Sequence, residues 1–375
     1  MSLRIVAVIW LLALGSPCLV FAESSLRIRP FFDFRYQYED NVLQVPKDLG
    51  EQRDFAAYIW AGVNVRAALD PRTRIAVRYE MAPRRFADVT EKNRYDHLLS
   101  GLWHRRLSGD VTLLTVANLG LRHQPNDRIN EYFKQDISGQ LQIRWNPSWS
   151  SRFGVELRNK YFPNSKHSRY SSDMVQGGLS RQLSAIAHVS AGYQVRVYRG
   201  VIDPRIITSE LNENVGGIRQ TASLGFEGMA LGRVLLNLKY QFEIDLASRE
   251  LPRHEPLSRE PEQRGEFGHH DGDEDDVDFN FANHRIGSFF IWRLAPRSSA
   301  SLAARHHFKL YQDWIVPGTG TKRRDNLTLL RFGFKQDLRD NLAARLEYAF
   351  ATNDSNDPTQ SYADNTYSMQ LQYSF

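Results

Sequence analysis

The segment 248–278 holds the densest group of residues in the chain that could bind a metal ion. Its candidate ligands are His269, His270, Asp271, Asp273 and Asp275. Carboxylates bind hard cations such as Ca²⁺, and neighbouring imidazoles bind transition metals. The spacing, however, lacks the full calcium-loop pattern of an EF-hand. A solvated acidic loop accounts for the same residues, so we predict no metal site and keep these five only as a candidate loop.

Nucleophilic or acid–base catalysis finds little support elsewhere in the chain. The other histidines are scattered, and no Ser–His–Asp arrangement can be argued from their spacing. His306 and His307 are adjacent, which on a strand places one ring on each face. The only cysteine, Cys18, lies in an apolar N-terminal segment, so the rest of the chain has no thiol nucleophile and no thiolate ligand. The sequence therefore predicts a protein that is not an enzyme and has no cofactor.

Charged residues recur at every second position in segments whose other positions are apolar. Val155 and Leu157, for example, alternate with Glu156 and Arg158. Such strict alternation indicates β-strands with one apolar and one polar face. The same pattern is clear in the segments 234–245, 342–351 and 367–375. The elements that must position the charged residues are therefore two-faced strands.

About 16 such segments follow one another, each roughly 10–14 residues long, which matches a strand that crosses a bilayer at a tilt. Their centres are predicted near Phe32, Val63, Val77, Gly101, Ala117, Gln140, Val155, Gly178, Gly192, Gly225, Leu238, Ser288, Ala304, Gly333, Leu346 and Leu371. Strands of a soluble β-sandwich, the main alternative, are about half as long. The sequence has no fixed-period repeat, which argues against a solenoid.

The connections between these segments alternate in length. Short ones are predicted around residues 70–72, 108–110, 147–149, 183–185, 231–233, 296–298 and 339–341. Longer polar stretches lie between them at 41–54, 200–218, 248–278, 313–326 and 352–363. Short turns at one end and long loops at the other are typical of a transmembrane β-barrel. The predicted fold class is all-β: a single antiparallel up-and-down barrel of about 16 strands, with 14–18 possible.

The N-terminus and the composition agree with an exported barrel. Arg4 precedes an apolar run that ends in Val20-Phe21-Ala22, as in a secretory signal peptide. The predicted division is a signal peptide over residues 1–22 and a transmembrane barrel over residues 23–375. Mean hydropathy is −0.48, which excludes a bundle of membrane helices. The net charge of +5, without a basic stripe among exposed aromatics, predicts no nucleic-acid partner.

Aromatic residues cluster at the two ends of the predicted strands. One group is Tyr36, Tyr38, Tyr79, Tyr161, Tyr240, Phe242, Tyr348 and Phe350, and the other is Trp103, Trp145, Trp292, Tyr373 and Phe375. Two such girdles are expected where amphipathic rings lie at both lipid–water interfaces. The preference of aromatic residues for strands explains their number but not this clustering.

The last residues alternate aromatic or apolar with polar, and they end on an aromatic ring. They are Tyr367, Met369, Leu371, Tyr373 and Phe375. This ending resembles the terminal strand of bacterial outer-membrane β-barrel proteins, in which it is the signal read by the barrel-assembly machinery. The residues Tyr38-Glu39-Asp40-Asn41-Val42 are similar to porin-type barrels associated with exopolysaccharide export. The resemblance implies an outer-membrane location, with lipid, lipopolysaccharide and the assembly machinery as partners, and leaves the oligomeric state open.

If the apolar faces contact lipid, the polar faces line the interior. The basic residues predicted there are Arg35, Arg66, Arg78, Arg122, Arg144, Arg158, Arg196, Lys239, Arg305, Lys309, Arg331, Lys335 and Arg345. Such a wall favours anions, whereas a network of Arg–Glu and Arg–Asp pairs that stiffens the barrel explains the same residues. We predict a porin-like channel for small anionic or acidic-saccharide solutes. The alternatives are a barrel for exopolysaccharide export and a closed structural barrel.

Overall fold

The computed structural model describes residues 26–42, 44, 50–164, 169–201, 216–230, 233–247 and 280–374. Sixteen strands run through these ranges. They are β1 (Arg27–Glu39), β2 (Asp54–Asp70), β3 (Thr73–Phe86), β4 (Arg94–Arg106), β5 (Val111–His123), β6 (Tyr132–Arg144), β7 (Trp149–Tyr161), β8 (Arg169–Ser184), β9 (Ala187–Val201), β10 (Gly216–Ala230), β11 (Val234–Ala247), β12 (Phe281–Ala295), β13 (Ser298–Ile315), β14 (Lys322–Arg339), β15 (Leu342–Ser355) and β16 (Tyr362–Ser374). Every predicted strand centre lies inside one of them, in the predicted order.

The strands form one closed barrel. Each pairs antiparallel with the next along the chain, and β16 pairs with β1 to complete the circle, with Phe34 opposite Leu371. Closure leaves no strand edge with unpaired backbone groups, which is the condition for a sheet to cross a lipid bilayer. The predicted all-β up-and-down barrel is confirmed. Among the described residues, no helix is long and apolar enough to cross a membrane.

The seven short turns lie where the alternation predicted them, but several strands reach further toward the long loops. The predicted loop 313–326 is too long, because β13 continues to Ile315 and β14 begins at Lys322. The predicted loop 352–363 is shortened in the same way to the residues between Ser355 and Tyr362. In both regions the strands continue through polar residues after the alternating apolar residues have ended. The apolar residues alone therefore predicted strands that were too short.

The outer surface of the barrel carries a band of exposed apolar side chains. Val155 is 53% exposed, Leu238 41% and Leu346 56%. The polar neighbours of these residues point inward, since successive side chains on a strand alternate between faces. A continuous apolar outer face is stable only against lipid, and the described members of the two predicted aromatic groups lie toward its opposite ends.

Part of the interior at the long-loop end is apolar. Val42 and Val89, which belong to the loops after β1 and β3, are buried against Tyr58, Trp60 and Phe86 of the inner wall. Asp54 holds the second loop in place, because its carboxylate accepts hydrogen bonds from three successive backbone N–H groups at 87–89. These two loops therefore fold into the lumen beside β2 and β3.

Candidate functional site

The register decides which predicted pore residues share a face. Directly opposed residues of paired strands lie on the same side of a sheet. Starting from Arg35 opposite Tyr58, this relation continues around the barrel and places all thirteen predicted basic residues on the inner face. Their position is thus a property of the structure, whereas their role in a pore remains a prediction.

A ring of cation–aromatic contacts surrounds the lumen near the long loops. We call it the collar. Its rings are Tyr58, Trp60, Tyr132, Tyr198, Phe281 and Tyr311, and its cations are Arg35, Arg84, Arg122, Lys160, Arg219, Lys309 and Arg323. All six rings are buried, and Lys309 Nζ lies 4.0 Å from the centre of Phe281. Each such contact stabilises by about 0.5–2 kcal/mol, depending on desolvation.

Carboxylates neutralise much of the positive charge of the collar. Asp96 lies between Arg94 at 2.8 Å and Arg122 at 2.7 Å. Asp245 is fully buried and accepts hydrogen bonds from Arg219 Nε at 2.8 Å and from the Tyr198 hydroxyl at 2.7 Å. Buried charges are stable only when they are paired and hydrogen-bonded in this way. The collar therefore contributes rigidity more than net field.

The collar continues between these two pairs on β6, β7 and β9. Arg158 contacts Asp136 at 3.1 Å and Glu156 at 3.3 Å. Arg196 lies 3.6 Å from the same Glu156. Lys134 also lies 3.7 Å from Asp136, so three cations share two carboxylates and this part of the wall keeps a positive surplus even though its charges are paired.

The middle of the wall has a second shared carboxylate. Arg331 and Arg345 both contact Glu347, at 3.3 and 2.7 Å. Arg305 lies on the neighbouring strand β13, opposite Leu329. Two of these three predicted pore residues, Arg331 and Arg345, therefore meet at one acidic side chain.

The inner face of β8–β11 is different, because small residues make it recede. A recess of about 200 Å³ is lined there by glycines and serines, by the amides of Gln194 and Asn237, and by the cations Arg152 and Lys239. A Cβ added at Gly225 would lie 2.7 Å from the hydroxyl of Ser190, so glycine there leaves room for that side chain.

The short-turn end of β1–β3 carries arginines without counter-charges. We call this group the vestibule, and its members are Arg27, Arg29, Arg66 and Arg74. Arg27 lies directly opposite Arg66, and all three side chains of Arg27, Arg29 and Arg66 are exposed. No ion pair or hydrogen bond of these four side chains is found among the described residues. Like charges directly opposed on a sheet destabilise it, so the vestibule is electrostatically unsatisfied.

The other predicted residues at the short-turn end have partners. Arg144 contacts Asp110 of the adjacent turn at 3.3 Å, and Lys335 contacts Asp337 at 3.0 Å. Both pairs are largely exposed, and exposed pairs contribute about 0–1 kcal/mol. Arg78, one level above the vestibule, is bound to Glu80 and stacks on Phe31 at 4.5 Å.

Sequence reasoning missed five inner-face arginines of the collar region, four of them buried and Arg285 half-buried. They are Arg84, Arg94, Arg219, Arg285 and Arg323. All lie toward the long-loop ends of strands, where the apolar half of the alternation fades. Continuing the period of two past the last apolar residue, as in Arg323-x-Asp325-x-Leu327, would have found Arg323.

The remaining predicted sites are only partly described. Tyr367, Met369, Leu371 and Tyr373 lie on the outer face of β16, which closes the barrel against β1, whereas Phe375 lies outside the described residues. The candidate loop His269, His270, Asp271, Asp273 and Asp275 also lies outside them, as do residues 1–25 with the predicted signal peptide. The part of the chain that the structure describes contains no group of three or more His, Asp or Glu residues arranged to hold a metal ion.

The chain is similar to known proteins in structure but not in sequence. No family model and no curated relative matches the chain. Among solved structures, the outer membrane channel DcaP of Acinetobacter baumannii has a TM-score of 0.52 at 10% identity, over 95% of this chain and 98% of that one. OccAB3 of the same organism has a TM-score of 0.52 at 8% identity, over 93% and 99% of the two chains.

A third structure has the same architecture. Outer-membrane expressed OmpT of Vibrio cholerae has a TM-score of 0.51 at 9% identity, over 94% of this chain and 98% of that one. The chain has the fold of a porin-like outer-membrane β-barrel. An outer-membrane β-barrel needs an apolar band, two aromatic girdles and unequal loops, and all three are present. The predicted outer-membrane location is therefore confirmed.

Proposed function

We propose that this porin-like barrel is a passive channel that carries small anionic solutes, including acidic saccharides, across the outer membrane. One observation carries the proposal: basic side chains outnumber acidic ones on the inner face, and those of the vestibule form no ion pair among the described residues. Unpaired wall cations raise the local concentration of anions and repel cations. A barrel of 16 strands is wide enough to hold water.

The collar and the rest of the inner wall differ in how much of their positive charge is available to a solute. The collar cations are engaged by rings and carboxylates, so they contribute less to the field along the pore axis than their number suggests. The vestibule supplies the rest, together with two places where cations outnumber carboxylates: Glu347 serves two arginines, and Asp136 and Glu156 are shared by Arg158, Arg196 and Lys134. Anion preference is therefore expected to arise mainly in the middle and at the short-turn end of the lumen.

The lining also fits a saccharide with an acidic group. Amide side chains in the recess of β8–β11 can exchange hydrogen bonds with hydroxyl groups, and Arg152 and Lys239 can bind a carboxylate. The solved channel named above supports passive transport over catalysis, as does the absence of an arguable catalytic group in the sequence.

Conductance in a planar bilayer under a salt gradient tests the proposal. We expect an open pore whose reversal potential has the sign of chloride preference. Arg305, Arg331 and Arg345 replaced together by Gln should move that potential toward zero or beyond it, because Glu347 then loses both partners. A cation-selective wild type would contradict the proposal. A wild type without measurable conductance would contradict it too, and would favour the structural or the export barrel.

A further inference from the structure

The vestibule contains a cavity with the composition of an oxyanion site. The cavity has a volume of about 250 Å³ and is lined by Arg27, Arg29, Asn64, Arg66 and their neighbours Pro30, Phe31 and Ser374. None of these residues is acidic. We propose that it binds a multiply charged oxyanion of the phosphate type at the periplasmic mouth of the barrel.

The register brings the four polar side chains together on one patch. Arg27 is opposite Arg66, and Arg29 is opposite Asn64, so the four form a two-by-two grid on the inner face of β1 and β2. Opposed side chains start about 5 Å apart, and those two residues along a strand start about 7 Å apart. Three guanidinium forks and one amide can therefore converge on a single tetrahedral anion.

Among the described residues, the carboxylates of the inner face around this cavity are already engaged. Asp70, near the turn, accepts a hydrogen bond from the backbone N–H of Arg72 at 2.6 Å. Asp33 accepts hydrogen bonds from the amides of Gln370 at 2.6 Å and Gln372 at 3.1 Å. Glu80 is bound to Arg78, and the ring of Phe31 lies between that pair and the cavity. Three guanidinium groups also outnumber any single carboxylate that reaches them, so the cavity keeps a net positive charge.

A bound anion reduces the repulsion among the arginines of this patch. Arg27 opposite Arg66 is unfavourable in the empty barrel, and a bound oxyanion converts it into two charge-assisted pairs. The side chains lie on the inner face, so bilayer phosphates on the outside of the wall do not reach them. The site is therefore accessible to solutes in the lumen. This step alone rests on the proposed channel function.

Titration of the full-length barrel, folded in detergent, with inorganic phosphate tests the site without requiring conduction. We expect saturable binding, a loss of affinity of about tenfold or more in Arg66→Gln and in Arg29→Gln, and a smaller loss in Arg66→Lys, which keeps the charge but not the fork. The matched control is Arg293→Gln, another exposed inner-face arginine at the short-turn end, on β12 and outside the cavity, which should change the affinity less than about twofold. Heat-modifiable migration verifies that each variant is folded.

Three outcomes overturn the site. They are no phosphate binding to the wild type, equal binding to Arg66→Gln and wild type, and an equal loss in the Arg293→Gln control. A bilayer measurement then separates the two proposals: phosphate added at the short-turn side should reduce the chloride current, and Arg66→Gln should weaken that block. If phosphate binds as expected but the barrel does not conduct anions, the channel proposal fails and the oxyanion site stands.

Discussion

The two ends of the lumen use the same residue type in opposite ways. In the collar, arginine and lysine lie on aromatic rings or against carboxylates, and most are buried. In the vestibule, arginines lie next to one another, exposed and without an acidic neighbour. The comparison teaches that counting inward-facing cations does not measure the field of a pore, because pairing decides how much charge remains available to a solute.

The difference has a structural reason. Near the long loops, the chain must fold loop segments such as the one at Val89 over the inner wall, and buried polar groups there need fixed partners. At the short-turn end the strands join through tight turns, and the side chains of Arg27, Arg29, Arg66 and Arg74 are exposed among the described residues. The collar can thus be a stiffening element, while the vestibule stays free to interact.

The largest expected effect is the loss of a buried carboxylate in the collar. Asp245→Ala removes the carboxylate that accepts hydrogen bonds from Arg219 Nε and from the Tyr198 hydroxyl. Removing one partner of a buried ion pair costs about 3–5 kcal/mol. Urea unfolding of the protein in lipid vesicles, followed by tryptophan fluorescence, measures this change.

The matched substitution in the vestibule should have almost no effect on stability. Arg66→Gln is expected to change the free energy of unfolding by less than about 0.5 kcal/mol, because the residue is exposed and opposes a like charge. If Arg66→Gln destabilised the barrel as much as Asp245→Ala, the distinction between the two ends would be lost.

A second prediction tests the inner and outer faces on which the comparison depends. Leu238→Arg places a charge in the apolar band, which should cost about 2–4 kcal/mol at mid-bilayer depth. Asn237→Arg, one residue away, points into the lumen and should be nearly neutral for folding. The same unfolding measurement decides, and equal tolerance of both would show that the faces of β11 are assigned incorrectly.

Replacing arginine by lysine should change the free energy of unfolding differently at the two ends, but by less than the substitutions above. Arg323 is almost fully buried, donates to Asp325 from Nε at 2.9 Å, and lies over Tyr311 at 4.4 Å. Arg323→Lys keeps the charge but loses the planar fork and the stacking, which should cost about 1–2 kcal/mol. Arg29→Lys should leave the unfolding curve unchanged, and a shift in that control would indicate partners for the vestibule.

The smallest effect concerns salt. The Debye length is about 10 Å at 0.1 M and about 3 Å at 1 M, so exposed charges lose their influence on solutes as salt rises. Anion preference should therefore weaken between these concentrations, as read from reversal potentials at a fixed gradient. Buried pairs are screened much less, so the midpoint of urea unfolding should move little over the same range. A selectivity that persisted at 1 M salt would indicate a narrow, dehydrated constriction.

The alternation of residue types, by itself, determined the strands, their order and the face of each side chain. The period of two fixes whether a residue points in or out once the strand is recognised, and Arg35, Arg196 and Arg345 followed from this rule. The alternation of short turns and long loops then predicted a closed barrel, which leaves no open strand edge. The strand ends did not follow from the sequence, because polar residues such as Arg323 continue a strand where apolar residues no longer alternate with them.

Only the tertiary structure decided which cation meets which partner. Tyr198 and Asp245 are 47 residues apart, and Asp33 and Gln370 are 337 apart, yet each pair is joined by a hydrogen bond. Such contacts depend on the register around the closed circumference, which shifts the height of every residue relative to its neighbours on other strands. The sequence therefore determined that the interior is rich in arginine, and the barrel's closure determined that one end is neutralised and the other is not.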